Sequence, residues 1–217
     1  MRTLISAILA LFIVNGVFGQ SDIFSLARSG TAAQVEAAIK AGAKVDARTG
    51  DGLTPLLLAA RFNTNADVVS VLLNAGAKLD DRDPQEGATA LLYAAKYNSN
   101  PAVISILLRA GGKTEDHDTC NGATALMRAA GWNTNPDIIR ALAKGGAQLD
   151  AKDIFVYTTP LMFAATYNTN PDVIMALLEV GADPKILSYK SLSAYDYACR
   201  NPALAKTQAC IMLGKLR

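Results

Sequence analysis

Few side chains in this chain are suited to covalent or metal chemistry. The single histidine, His117, stands three residues before Cys120, one of three cysteines. A His-x-x-Cys pair supplies two of the four ligands that a tetrahedral structural zinc site takes, and no second pair lies nearby. The segment Asp116-His117-Asp118-Thr119-Cys120 therefore reads as a solvated polar loop, and no metal site is expected. No Gly-x-Ser-x-Gly elbow and no phosphate-cradling glycine loop occurs, and carboxylates recur only at helix caps and in loops, where solvated acids are expected. The nearest approach to a paired-carboxylate arrangement is Asp81 with Asp116, one on each of two successive loops. No catalytic residue and no cofactor is expected, and the chain does not read as an enzyme.

What remains is the chemistry of contact. Phe62, Tyr97, Trp132 and Tyr167 recur 35 residues apart, with Arg61, Lys96 and Thr166 varying beside three of them. Aromatics of this kind anchor protein interfaces, stack on sugar faces, or simply stack from one repeat to the next. Trp132 is the member expected to project into a partner. A second candidate is the run Ile154-Phe155-Val156-Tyr157, which stands where earlier loops are polar, such as Asp46-Ala-Arg-Thr-Gly-Asp and Asp81-Arg-Asp-Pro-Gln-Glu. The following loop carries Ile186, Leu187 and Tyr189. Tyr157 also replaces the glycine found at Gly52, Gly87 and Gly122. Apolar residues on a projecting loop either meet a partner or pack against the neighbouring loop.

The elements that would position these residues follow from a repeat. Thr54-Pro-Leu-Leu-Leu-Ala-Ala, Thr89-Ala-Leu-Leu-Tyr-Ala-Ala, Thr124-Ala-Leu-Met-Arg-Ala-Ala and Thr159-Pro-Leu-Met-Phe-Ala-Ala follow one another every 35 residues. A fixed period of this length specifies stacked supersecondary units sharing one core. Each threonine suits a helix N-cap, with Pro55 and Pro160 at the first helical position. The alanine pairs leave room for a second helix. Asn63, Asn98, Asn133 and Asn168 are expected to end the first helix in a left-handed conformation and to form a ladder joining one turn to the next. Asn65, Asn100, Asn135 and Asn170 cap the second helix, whose apolar positions include Val68, Val69, Leu72 and Leu73. That helix ends at Gly76, Gly111, Gly146 or Gly181, and a turn-rich segment of about a dozen residues leads to the next threonine.

These residues resemble the ankyrin repeat family, whose pattern Thr-Pro-Leu-His-x-Ala-Ala, turn, paired aliphatics, Gly-Ala-Asp is matched from about Phe24 to Leu213. The histidine of that pattern is Leu57, Leu92, Met127 or Met162 here, so its hydrogen bonds need replacement. The Asn-x-Asn turn is similar to a variant found in bacterial members. The resemblance implies an all-α solenoid of helix-turn-helix units with β-turn or hairpin fingers, and a concave face bordered by Phe62, Tyr97, Trp132 and Tyr167. Repeats are expected over 52–86, 87–121, 122–156 and 157–190, with capping units over 20–51 and 191–217. Cys199 stands for the second alanine of the signature. It is expected to be too far from Cys210 for a disulfide, that residue lying about two turns into the antiparallel second helix.

The N-terminus combines Arg2, an apolar stretch from Leu4 to Val14 and small residues before Gln20, the pattern of a secretory signal over 1–19. The expected location is outside the cytoplasm, periplasmic or secreted. The formal charge is +2, with 18% charged residues and no basic run. Nucleic acid is therefore not an expected partner, nor is a membrane once the signal is removed. The composite reading is a monomeric scaffold that binds a protein through its concave face and fingers, with a cell-wall carbohydrate ligand or a plain structural spacer as alternatives.

Overall fold

The computed structural model describes residues 22–216. The signal segment 1–19 lies outside the described residues. Six helix pairs follow one another: α1 (Ile23–Ser29) and α2 (Ala32–Lys40), α3 (Pro55–Phe62) and α4 (Ala66–Asn74), α5 (Ala90–Tyr97) and α6 (Pro101–Arg109), α7 (Ala125–Trp132) and α8 (Pro136–Lys144), α9 (Pro160–Tyr167) and α10 (Pro171–Val180), α11 (Ala194–Arg200) and α12 (Gln208–Leu216). First helices stack on first helices and second on second, and each pair packs internally, so the core runs the length of the molecule. Among the described residues no helix is long and apolar enough to cross a membrane, and β-structure is limited to a bridge between His117 and Thr124. The fingers are therefore turns rather than hairpins.

The local signals work as their chemistry requires. Thr54, Thr124 and Thr159 accept at their hydroxyls from the N–H of Leu57, Met127 and Met162, at 3.3, 3.4 and 3.4 Å. Thr89 occupies the same position without a side-chain cap bond. The alanine pairs are fully buried where the second helix crosses. The glycines after the second helices have φ between 89° and 104°, left-handed geometry that side chains rarely adopt.

The asparagine ladder is present and longer than expected. The Asn98 amide donates to the carbonyls of Ala60 and Asn63, both at 3.0 Å, while its Oδ1 accepts from the Asn100 N–H at 2.9 Å. Asn63, Asn133 and Asn168 repeat the arrangement, reaching back to Ala27 and Gly30, Ala95 and Asn98, and Ala130 and Asn133. Asn201 adds a rung to Ala165 and Asn168. A parallel outer row joins Asn100, Asn135 and Asn170 to the carbonyls of Thr64, Ser99 and Thr134, each at 2.7 Å. The expected left-handed helix end is corrected: Asn63 has φ −91° and ψ 115°, and its counterparts are also extended. An extended backbone turns the amide toward the preceding repeat, which a left-handed stop would not do.

Asn133 is buried, so truncating it strands two carbonyls of the previous repeat. Asn133→Ala is expected to lower stability by about 2–3 kcal/mol, against about 1 kcal/mol for loss of the exposed-side cap in Asn135→Ala. Urea midpoints of the two variants check the order.

Candidate partner-binding surface

The second, third and fourth fingers each turn around a buried carboxylate. Asp83 Oδ1 takes the N–H groups of Gln85 and Glu86, both at 2.7 Å, and its Oδ2 takes that of Ala88 at 2.9 Å. Asp153 does the same for the fourth finger, with its Oδ2 accepting from the Thr158 N–H and hydroxyl, and Asp118 Oδ1 takes the N–H groups of Cys120 and Asn121 while its Oδ2 turns to Arg128. These acids were expected to be solvated, yet all three are buried. Burial alone pushes the Asp83 carboxyl up, but the N–H groups of Glu86, Ala88 and Gln85 outweigh it and hold the group below its ordinary 3.8. The turn carboxylates thus supply internal hydrogen bonding in repeats that lack the family histidine.

Successive fingers are stapled together. Arg48 reaches the Arg82 carbonyl at 3.3 Å and Asp81 at 2.6 Å, and Arg82 reaches the His117 carbonyl at 3.0 Å and Asp116 at 3.3 Å. Asp81 and Asp116 are therefore each paired with an arginine rather than with one another. The finger glycines have a packing reason as well. A Cβ on Gly52, Gly87 or Gly122 would lie 2.7, 2.5 or 2.8 Å from Pro84, Thr119 or Ile154 of the following finger. Tyr157 breaks this pattern, holding φ 54° with a full side chain, a conformation costing about 1–2 kcal/mol outside glycine.

Arg128, on the inner face of α7, is buried and was not foreseen. It binds Asp118 Oδ2 at 2.6 Å and Glu86 Oε2 at 2.5 Å, tying two fingers to one helix. The column that it occupies reads Leu58, Tyr93, Arg128, Phe163, so variation between otherwise matching repeats was the signal available.

The aromatic row is a mixed stack. The Arg28 guanidinium lies 4.3 Å from the Phe62 ring centre, that of Arg61 4.9 Å from Phe62 and 4.5 Å from Tyr97, and the Lys96 ammonium 4.9 Å from Tyr97 and 5.2 Å from Trp132. Trp132 then stacks on Tyr167, with centroids 5.4 Å apart and planes 15° off parallel. The Arg61 Nε is buried with no hydrogen-bond acceptor, and the guanidinium lies against the rings of Phe62, Tyr93 and Tyr97. Trp132 does not project beyond the others: it is 42% exposed, as are Phe62 and Tyr97, against 55% for Tyr167. Cations or neighbouring rings lie against each member of the row.

The apolar finger is open to solvent. Ile154, Phe155 and Tyr157 are 62%, 64% and 54% exposed, and Leu187 and Tyr189 of the next finger are similarly exposed. The two fingers do touch, through the Tyr189 N–H to the Val156 carbonyl at 3.1 Å, but that contact leaves the side chains uncovered. Beneath them lies a hollow of about 330 Å³ lined in part by Phe155, Val156, Met162, Phe163, Tyr167, Lys190 and Tyr197. It unites the fourth finger with the ring-rich end of the aromatic row. Ile154, Tyr157, Trp132, Tyr97, Phe62, Arg61 and Lys96 do not line it.

Replacing Arg128 leaves Asp118 buried without its counter-charge. Arg128→Met is expected to cost about 3 kcal/mol or more, partly recovered in Arg128→Met with Asp118→Asn. A double-mutant cycle on denaturation midpoints measures the coupling.

Comparison with known proteins agrees with this architecture. The family model described as "Ankyrin repeats (3 copies)" matches residues 23–118, 67–153 and 100–188 in overlapping registers. No curated protein matches the chain. Among solved structures, the chain is similar to one in the complex described as the Bd0816 predatory endopeptidase from Bdellovibrio bacteriovorus with immunity protein Bd3460. The TM-score is 0.72 and the identity 27%, over 90% of this chain and 98% of that one. With repeats matched over most of its length, the chain belongs to the ankyrin repeat family.

Proposed function

We propose that this protein is a non-enzymatic binding scaffold that engages a protein partner at the C-terminal end of its concave face. The observation that carries the reading is the hollow between the fourth and fifth fingers, walled by Phe155, Val156, Phe163 and Tyr167 and overhung by exposed apolar side chains. A preformed cleft of this kind loses little freedom on binding, so a few rigid anchors carry the affinity. The similar solved chain comes from a complex of an endopeptidase with an immunity protein, which supports a protein partner and makes a peptidase the first class to test.

The decisive experiment is capture of partners from the exported fraction by the wild type, by Phe155→Ser with Tyr157→Ser, and by Tyr157→Gly. The double variant is expected to lose its partner at least tenfold. Tyr157→Gly is expected to weaken capture while its Tm stays level or rises, which separates contact from folding. A partner retained equally by all three moves the site away from the finger, and no partner in any sample favours the spacer.

Export is part of the proposal, motivated by Arg2 and the apolar Leu4–Val14 stretch. N-terminal sequencing of the protein from cell fractions is expected to begin at Gln20 outside the cytoplasm. Recovery of the intact Met1 form from the cytoplasm would refute it.

A further inference from the structure

The last helix pair holds two thiols that no contact surface uses. Cys199, in the last turn of α11, and Cys210, in the first turn of α12, have their Sγ atoms 3.8 Å apart. The expectation that they would be too distant is corrected. Residues 201–207 fold back as a compact turn, with the N–H groups of Leu204 and Ala205 bonded to the Asn201 carbonyl, so α12 begins only at Gln208. Cys210 is thereby placed opposite Cys199 rather than two turns beyond it.

We propose that Cys199 and Cys210 are a covalent modification site, closing an intrachain disulfide by exchange with an external small-molecule disulfide of the glutathione type. The two sulfurs differ in access, which sets the order of events. Cys199 is exposed and Cys210 is buried. Burial, and then the neighbouring Cys199 sulfur, push the Cys210 thiol up to about 11, so it is not the first nucleophile at neutral pH. The Cys199 thiolate attacks the external disulfide, forms a mixed disulfide and expels one small thiolate. Cys210 then gives up its proton to that thiolate and attacks the Cys199 sulfur, expelling the second small thiolate, which takes up the proton released when Cys199 ionised. Two protein thiols are oxidised to one disulfide and one external disulfide is reduced to two thiols. Closing the bond brings the sulfurs from 3.8 Å to about 2.05 Å, a movement within reach of side-chain rotation and a small helix shift.

The bond would act within the most C-terminal helix pair among the described residues. It joins α11, which carries Tyr197 into the wall of the hollow with its hydroxyl 3.1 Å from Ser188 Oγ, to the final helix α12. An exported protein meets the oxidants that form such bonds; the chemistry itself does not depend on the partner-binding reading.

Purified protein is incubated with oxidised glutathione, free thiols are alkylated, and the cysteine peptides are mapped by mass. The expected wild-type product links the peptides of Cys199 and Cys210 with loss of two hydrogens and no retained glutathione. Cys120, alone on its finger, serves as an internal control that forms at most a mixed disulfide. Cys210→Ser is expected to trap glutathione on Cys199, while Cys199→Ser leaves Cys210 alkylatable. The oxidised wild type is expected to melt about 5 °C higher than the reduced form, a rise absent from Cys210→Ser. Glutathione retained on wild-type Cys199, or both thiols alkylated after oxidation, overturns the site. A linked product with unchanged Tm overturns its stapling role.

Discussion

A primary amide buried at the inter-helix turn of each of the four central repeats is the interaction on which the rest of the molecule depends. Each of Asn63, Asn98, Asn133 and Asn168 spends both N–H donors on carbonyls of the preceding repeat and its oxygen on the next asparagine of its own turn. The amide satisfies groups that the end of a helix leaves orphaned, and does so with the neighbour's help. Repeat spacing and orientation are thereby set by hydrogen-bond geometry as well as by fit of the alanine pairs. The stacking of first helices, the line of the fingers and the course of the aromatic row all follow from that spacing.

The fingers obey a second, weaker rule. A buried carboxylate closes the second, third and fourth turns, and the tip of the following finger covers a glycine in each of the first three. Tyr157 departs from it by placing a tyrosine in the glycine's conformation. The finger that carries it is apolar and exposed beside the hollow, where the second and third fingers are polar. Regular and irregular construction therefore occupy the same loops and are told apart by which rule is broken.

Much of this was legible from residue types at fixed spacing. The threonine caps, the alanine pairs and the asparagine ladder are local chemistry repeated, so one reading applied to every copy. Asn201 escaped because its turn lacks the second asparagine. Asp83, Asp118 and Asp153 were misread because a loop acid is usually hydrated, and only the fold shows backbone N–H groups converging on them. The hollow was half visible: Phe155, Val156 and Tyr167 were candidates, but Phe163 sits one turn before Tyr167 in a column whose other members are Leu58, Tyr93 and Arg128, and Lys190 and Tyr197 come from other elements and meet them only in three dimensions. The thiol pair was misplaced because the start of α12 depends on a turn whose residues carry no repeat signature.

A stack of near-identical units faces a registration problem, since a ligand that fits one repeat fits the next one equally well, displaced along the axis. The mixed stack removes that degeneracy. It begins with Arg28, Phe62 and Arg61, alternates cation and ring through Tyr97 and Lys96 to Trp132, and ends in a ring pair, Trp132 stacked on Tyr167. The surface therefore carries a direction as well as a period. A bound chain laid along it in reverse, or shifted by one unit, would set its charges against the wrong members of the series.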